Sequence, residues 1–180
     1  GILVNEVGVC EGYAKYMKLI MDKVGIESQI VVGTGKGQSH AWNIVKIEDD
    51  YYHIDLTWND PVMNDGSDVL VYDYFNLTDD ELSKDHVWNT SNYPLCDSNE
   101  YNYHYYNDLI TKNYESFYEK VKNSLLNNKK EIELKVLNLN NNYNLNNIIN
   151  EIVRNNPEIN ISSYNYSIND TKGIIRMNFK

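Results

Sequence analysis

The change of hydrophobic period along the first half of the chain is the feature that most constrains its fold. Between Glu11 and Val24, apolar or small side chains recur at three- and four-residue intervals, which predicts an amphipathic helix with one buried face. Gly25 follows and predicts the end of the helix, because glycine adopts a left-handed conformation without strain. The period then becomes two, which predicts strands over 28–33, 40–47 and 50–58. A helix followed by antiparallel hairpins indicates an α+β fold.

The distribution of charge divides the chain near residue 110. Residues 1–110 carry 6 basic and 19 acidic side chains, whereas residues 111–180 carry 10 basic and 7 acidic ones, and the whole chain has a formal net charge of −10. We therefore expect a first domain over 1–110 and a small C-terminal α/β module over 111–180. The elements predicted for this module are helices over 114–126 and 145–153 and strands over 131–139, 159–168 and 173–179.

The composition also excludes several classes of protein. Hydrophobic residues make up 42% of the chain, which is ordinary for a folded protein, but no run approaches the roughly 20 apolar residues of a membrane span. A net negative chain repels phosphate backbones, so we expect no nucleic-acid partner. Two cysteines are too few for a disulfide framework. The N-terminus does not read as a signal peptide, and the compartment and oligomeric state stay open.

Three polar residues combine into a hypothesis of catalysis: Cys10, His40 and Asp55. Cys10 lies at the start of the predicted helix, where the positive end of the helix dipole favours the nucleophilic thiolate. A cysteine taken alone is more often a small buried hydrophobe. The interpretation of Cys10 therefore depends on whether the histidine and the aspartate come together.

The register of the predicted hairpin decides whether His40 and Asp55 meet. A two-residue turn at 48–49 places Trp42 opposite Asp55 and makes His40 a diagonal neighbour, about 7–8 Å away at the backbone. A turn at 49–50 would instead separate the two residues by roughly 13 Å along the strand. In the first register Asp55 orients His40 through one ring nitrogen and leaves the other nitrogen for a thiol.

Three ordered motifs surround these residues: Gly8-Val-Cys-Glu-Gly-Tyr-Ala14, His40-Ala-Trp-Asn43 and Tyr52-His-Ile-Asp-Leu-Thr-Trp58-Asn-Asp-Pro61. Continued through Tyr72-Asp-Tyr-Phe75 to Asp85-His86, the sequence resembles the transglutaminase-like core of bacterial proteins over about residues 3–90. The resemblance implies a papain-like transglutaminase core, in which a helix bearing the cysteine packs on an antiparallel sheet. It also implies acyl transfer through a thioester, with Cys10 as nucleophile, His40 as general base and acid, and Asp55 as orienting group.

The resemblance further implies a carboxamide or peptide bond as the target, ending in amide cross-linking or in hydrolysis. The expected partner is a protein or peptide substrate, including one associated with the cell wall, and no cofactor is expected. Many relatives carry helices and an oxyanion-stabilising side chain upstream of the cysteine, so we expect an incomplete core here, with only the backbone N–H of Cys10 assigned as oxyanion donor. The alternative is a catalytically silent scaffold of the same fold that binds protein or cell-wall components.

The acidic character of the first domain bears on its substrates. Carboxylates attract amine-bearing or basic polypeptides over long distances, so we expect such substrates and a dependence of their binding on salt. Trp42 and Trp58 flank the pair formed by His40 and Asp55. We predict that these tryptophans either wall an acyl-binding groove or pack in the core.

The remaining reactive residues are predicted to be structural. His53 is expected on the surface of its strand, His86 and His104 without identifiable partners, and Cys96 as a spectator thiol in a polar loop. Zinc could use Cys10, His40, His53 and Asp55, but they lack the close spacing of metal-binding pairs, so we predict no metal site. The glycine-rich loop over 33–37 lacks the Gly-Lys-Ser/Thr ending and the helix of a phosphate-binding loop.

Overall fold

One long helix and a five-stranded sheet form the first part of the molecule. The computed structural model describes residues 10–61, 69–137, 139 and 144–180, and the chain divides into two units, residues 1–106 and 107–180. The predicted boundary at residue 110 falls inside a short strand, Ile110–Thr111, that pairs with a strand of the second unit. Gly8 and residues 62–68, which include most of the turn-forming sequence Asn59-Asp-Pro-Val-Met-Asn-Asp-Gly66, lie outside the described residues.

The sheet of the first unit is antiparallel throughout. Its strands are β1 (Ser28–Gly35), β2 (Gln38–Ile47), β3 (Asp50–Ile54), β4 (Phe75–Leu77) and β5 (His86–Trp88), in the order β4-β3-β2-β1-β5. The helices are α1 (Cys10–Val24), α2 (Leu56–Asn59), α3 (Asp79–Leu82) and α4 (Tyr103–Tyr106), and Thr90–Asn92 forms a 3₁₀ turn. An antiparallel sheet with separate helices confirms the predicted α+β fold.

Helix α1 begins at Cys10 and ends before Gly25, whose φ of 78° matches the predicted C-terminal glycine. Ala14 and Met17 are its buried residues, whereas Val24 at the end of the predicted apolar face is 62% exposed. The Nδ2 atom of Asn43 on β2 donates a hydrogen bond of 3.0 Å to the carbonyl oxygen of Ala14. This buried bond ties the helix to the central strand of the sheet.

Two separate apolar clusters form the core of the first unit. Met17 of α1 packs with residues of the central strands in one cluster, whose other buried members are Val45, Tyr52 and Ile54. The second cluster contains Val31, Trp42, Ile44, Tyr74, Leu77, Leu82 and Cys96. The central strands supply buried side chains to both clusters, so both faces of these strands are covered. Successive side chains of β3 therefore do not alternate between buried and exposed positions.

The second unit is a four-stranded sheet with two helices. Its elements are β6 (Ile110–Thr111), α5 (Tyr114–Leu126), β7 (Glu131–Val136), α6 (Leu145–Asn155), β8 (Tyr164–Asn169) and β9 (Ile174–Phe179). The strand order is β6-β7-β9-β8, in which β6 and β7 are parallel and the other pairs antiparallel. The apolar stripes of both helices pack with β7 and β9 in one core. Across the described ranges, no helix combines the length and the hydropathy that a membrane span needs.

Candidate functional site

The hairpin of β2 and β3 has the register that the hypothesis of catalysis requires. Ile47 pairs with Asp50 and Asn43 pairs with Ile54, so the turn contains two residues, Glu48 and Asp49. Of the two turns considered from the sequence, the structure has the one at 48–49. Continuing this register by one residue sets Asp55, which directly follows β3, opposite Trp42 on β2. His40 is two residues from Trp42 on the same strand and is therefore a diagonal neighbour of Asp55.

Asp55 itself is the residue before helix α2 and does not lie in a strand. Its Oδ1 atom accepts hydrogen bonds from the backbone N–H groups of Thr57 (3.0 Å) and Trp58 (3.3 Å), which makes it the N-cap of the helix. The predicted strand over 50–58 is therefore wrong beyond Ile54. The carboxylate satisfies N–H groups that a strand would have presented to a neighbouring strand, and the chain turns at this point.

The side chains of Cys10, His40 and Asp55 lie close together. The Nε2 atom of His40 lies 2.6 Å from Oδ2 of Asp55, and the Cys10 thiol is near enough to the same imidazole to raise its pKa. Because Asp55 occupies Nε2, the nitrogen left for the thiol is Nδ1. His40 is 7% exposed and Asp55 1% exposed, whereas Cys10 is partly exposed at the first turn of α1.

The protonation of this group follows from its contacts. Burial lowers the pKa of His40, but hydrogen bonds and charge from Asp55 and Cys10 outweigh it, so that the pKa lies above the ordinary value. Burial raises the pKa of Asp55, but hydrogen bonds from His40 and His86 outweigh it and lower the pKa. Near neutral pH, Asp55 is therefore an anion and His40 is biased toward the imidazolium form.

His86 is a further member of this site, which sequence reasoning missed. Its Nε2 atom lies 3.1 Å from Oδ2 of Asp55, and its Nδ1 atom lies 2.7 Å from Oδ1 of Asp85. Asp85 also accepts a hydrogen bond of 2.8 Å from the hydroxyl of Tyr74. The expectation that His86 has no identifiable partner is wrong. The only signal in the sequence is the position of Asp85-His86 within the motifs that carry the family resemblance.

Two tryptophans enclose the imidazole of His40. The ring of Trp42 stacks on it at a centroid distance of 5.9 Å, and the ring of Trp58 lies at 5.4 Å. Trp42 is 1% exposed, which favours core packing over the predicted role in a groove. Trp58 is partly exposed, and the Nζ atom of Lys36 lies 5.0 Å from its ring centroid. Trp58 therefore stays a candidate for the groove.

His53 is fully buried, so its predicted place on the strand surface is wrong. The indole N–H of Trp42 donates to Nδ1 of His53 (3.0 Å), and Nε2 of His53 contacts Oδ1 of Asp79 (2.8 Å). Since the indole N–H only donates, Nδ1 must carry the lone pair and Nε2 the proton. The same bond occupies the indole N–H of Trp42, which is therefore not available to an oxyanion.

Two groups of potential metal ligands occur among the described residues: His40 with Asp55 and His86, and His53 with Asp79 and Cys96. In the second group, the proton on Nε2 of His53 blocks the nitrogen that would bind the ion. Burial, followed by the charge of Asp79, raises the pKa of the Cys96 thiol, which disfavours the thiolate ligand. Cys96 lies in an irregular segment, as predicted, but its side chain is buried in the core, and it remains a spectator in our interpretation.

Gly35 leaves the space that the site needs, and we expect a methyl group there to disturb it. A Cβ atom at Gly35 would lie 2.8 Å from Trp58 and 3.3 Å from both His40 and His86. Gly35→Ala should therefore lower any activity of the site about 100-fold, because displacements of about 1 Å have effects of that size, and should cost about 1–3 kcal/mol in unfolding free energy. Activity assays and urea unfolding measure the two effects.

Gly37→Ala is the matched control for this prediction. Gly37 lies two residues further on, in the turn after β1, with a φ of 79°, and a Cβ atom there would meet nothing within 4 Å. It should lose stability through backbone strain and keep the activity. Equal activity of the two variants would contradict the steric role of Gly35.

The comparisons with known proteins bear on the first unit. Residues 1–56 match the family model of the Transglutaminase-like superfamily. This range includes Cys10, His40 and Asp55. A search of curated proteins yields no match to the chain. The match supports the resemblance carried by the motifs around Cys10 and His40, and residues 1–56 are similar to the transglutaminase-like superfamily.

Proposed function

We propose that the first unit is a papain-like transglutaminase core that catalyses cysteine-dependent acyl transfer or hydrolysis. In this proposal Cys10 is the nucleophile, His40 the general base and acid, and Asp55 the group that orients His40. The observation that carries it is the buried hydrogen bond of 2.6 Å between His40 and Asp55, with the Cys10 thiol, at the first turn of α1, near enough to raise the pKa of the same imidazole. The same order of groups activates nucleophiles on several unrelated folds.

The reaction that fits these groups has two stages. The Cys10 thiolate attacks the carbonyl carbon of a carboxamide or peptide bond and forms a C–S bond, while His40 donates its proton to the leaving amine. A second amine or a water molecule then loses a proton to His40 and attacks the thioester. The C–S bond breaks and the thiolate is restored. An amine acceptor gives a cross-linked or modified amide, and water gives hydrolysis.

The surroundings of the site support the first stage. Cys10 is the first residue of α1, where backbone N–H groups have no partners within the helix and the dipole favours negative charge. The N–H of Cys10 is our candidate donor to the oxyanion. Burial of His40 between two tryptophan rings limits access of water to the imidazole and strengthens its bond to Asp55.

The decisive experiment compares two reactions of one preparation. The protein is incubated with casein and a fluorescent primary amine, and both incorporation of the amine and release of acid-soluble peptides are measured. We expect one of the two products to form, and the ratio decides between transferase and peptidase. Cys10→Ala should abolish the product because no other thiol of the described residues lies at the site.

Cys96→Ala is the control for this experiment, since it removes the other cysteine of the chain from a buried position. We expect it to keep the activity in proportion to its folded fraction. If the folded wild-type protein forms no more of either product than Cys10→Ala, the proposal is contradicted. That outcome favours the catalytically silent scaffold that binds protein or cell-wall components.

A further inference from the structure

His86 occupies a place between two carboxylates. One ring nitrogen, Nε2, lies 3.1 Å from Oδ2 of Asp55, and the other, Nδ1, lies 2.7 Å from Oδ1 of Asp85. His86 is 1% exposed and Asp85 is also largely buried, with 4% of its side chain exposed. Both ring nitrogens therefore have protein acceptors.

This geometry determines the protonation of His86. A carboxylate can only accept hydrogen bonds, so each nitrogen of His86 has to donate, and an imidazole donates from both nitrogens only as a cation. A neutral ring would leave a lone pair facing a carboxylate in a buried site, which is costly. The pKa of His86 points in the same direction: burial lowers it, but the hydrogen bonds and charges of Asp55 and Asp85 outweigh burial and raise it.

The Oδ2 atom of Asp55 is shared between two imidazoles. His40 approaches it at 2.6 Å and His86 at 3.1 Å, and the centroids of the two rings are 5.4 Å apart. The Oδ1 atom of the same carboxylate is occupied by the N-terminus of α2. Both carboxylate oxygens of Asp55 therefore have hydrogen-bond partners. The positive charge of His86 offsets part of the negative charge of Asp55 that acts on His40.

We propose that His86 is a positioning residue for the cysteine–histidine pair: as a cation bridging Asp85 and Asp55, it orients the Asp55 carboxylate and holds down the proton affinity of His40. This inference rests on the proposed function, because the proton of His40 is the one that moves in both stages. Tyr74 completes the bridge by donating a hydrogen bond to Asp85. His86 acts through Asp55 and touches no reacting atom.

The charged and titratable groups that face His86 come from several segments. They are Asp55 after β3, Asp85 before β5, Tyr74 before β4, His40 on β2 and His53 on β3. The rings of Trp42 and Trp58 lie at 5.0 and 4.3 Å and carry no charge. Asp55 and Asp85 carry two negative charges, and His40, which favours the imidazolium form, balances only one of them. A neutral residue at position 86 would therefore leave one negative charge in the site without a positive partner.

The test uses nitrogen-15 NMR of the four histidines of the chain, recorded as a function of pH. In the wild type we expect both nitrogens of His86 to be protonated at pH 7. In His86→Gln the carboxamide N–H can still donate toward Asp55, but the positive charge is gone. The titration midpoint of His40 should then rise by on the order of one pH unit, since a like charge nearby lowers the pKa of a histidine.

His104→Gln is the control, because His104 is also 1% exposed but its ring contact is with Tyr103. It should leave the midpoint of His40 in place even if it lowers stability. A His86 that is singly protonated at pH 7, or a midpoint of His40 that does not rise in folded His86→Gln, would overturn the inference.

A second variant covers the case in which His86→Gln does not fold. Asp85→Asn keeps an acceptor for Nδ1 of His86 and removes the charge that holds its second proton, so the midpoint of His86 should fall by on the order of one pH unit. A midpoint that stays in place would contradict the inference. These readouts need no substrate. An unreactive Cys10 would therefore contradict the proposed function alone, while an unmoved His40 midpoint beside a reactive Cys10 would contradict this inference alone.

Discussion

His40→Ala is expected to lower cysteine-dependent product formation by about 10⁴-fold or more, because removal of the base from such a unit costs about as much as removal of the nucleophile. The thiol of Cys10 loses the partner that takes its proton, and the leaving amine loses its proton donor.

The reactivity of Cys10 measures this loss without a substrate. We expect iodoacetamide to alkylate Cys10 at pH 6.5 at least about tenfold faster in the wild type than in His40→Ala, because the thiolate is the reacting form. The two rates should converge at pH 10, where accessible thiols are ionised in both proteins. Peptide mass spectrometry assigns the modification to Cys10 and not to Cys96, whose burial disfavours reaction.

The control for His40→Ala is His104→Ala, which removes a buried imidazole elsewhere in the same unit. It should leave the alkylation rate of Cys10 unchanged. Equal rates for the wild type and folded His40→Ala at pH 6.5 would show that the contact between Cys10 and His40 does not activate the thiol.

Asp55→Asn should separate the two tasks of Asp55. Asparagine caps helices as well as aspartate does, so its Oδ1 can still accept from Thr57 and Trp58. Its carboxamide cannot accept from His40 and His86 as the Oδ2 atom does, so His40 takes the wrong tautomer. We expect product formation to fall by about 10³–10⁴-fold, the size of effect that such a tautomer change has in related arrangements.

Asp55→Ala is the matched comparison for stability. Both variants leave the buried cationic partners of Asp55 without their carboxylate, a change of about 3–5 kcal/mol, but only Asp55→Ala also loses the cap, worth about 1 kcal/mol. Urea unfolding should therefore rank the wild type above Asp55→Asn and Asp55→Asn above Asp55→Ala. A retained activity above a tenth in Asp55→Asn, or equal stability of the two variants, would contradict this account.

Local patterns predicted the parts of the site that depend on nearby residues. The helical period and Gly25 predicted a helix over 11–24, and the structure has it over Cys10–Val24. The acidic turn left two registers of β2 and β3 possible, and the structure has the one with the turn at 48–49. Both features arise from backbone geometry over short stretches of chain, which the order of residues determines directly. The proximity of His40 and Asp55 followed from that register.

The errors concern residues whose surroundings come from distant parts of the chain. His53 was expected at the surface because alternation in a strand usually separates a buried face from an exposed one. In the structure, Trp42 and Asp79 supply its partners and both faces of β3 are covered. Asp55 was expected in a strand because the alternating pattern continues past Ile54, but its carboxylate caps a helix instead.

The sequence by itself determined the α+β class and a helix over 11–24 with Cys10 at its first turn, and it left two alternative turns between β2 and β3. Only the tertiary structure decided that Asp55 is shared with His86, 31 positions away, and that His86 leads on to Asp85 and Tyr74. The physical reason is that hydrogen bonds between buried groups depend on which segments pack together. Neither the hydrophobic period nor the length of a turn tells which distant segments pack together. The hydrogen-bond partners of buried polar groups are therefore decided only when the core forms.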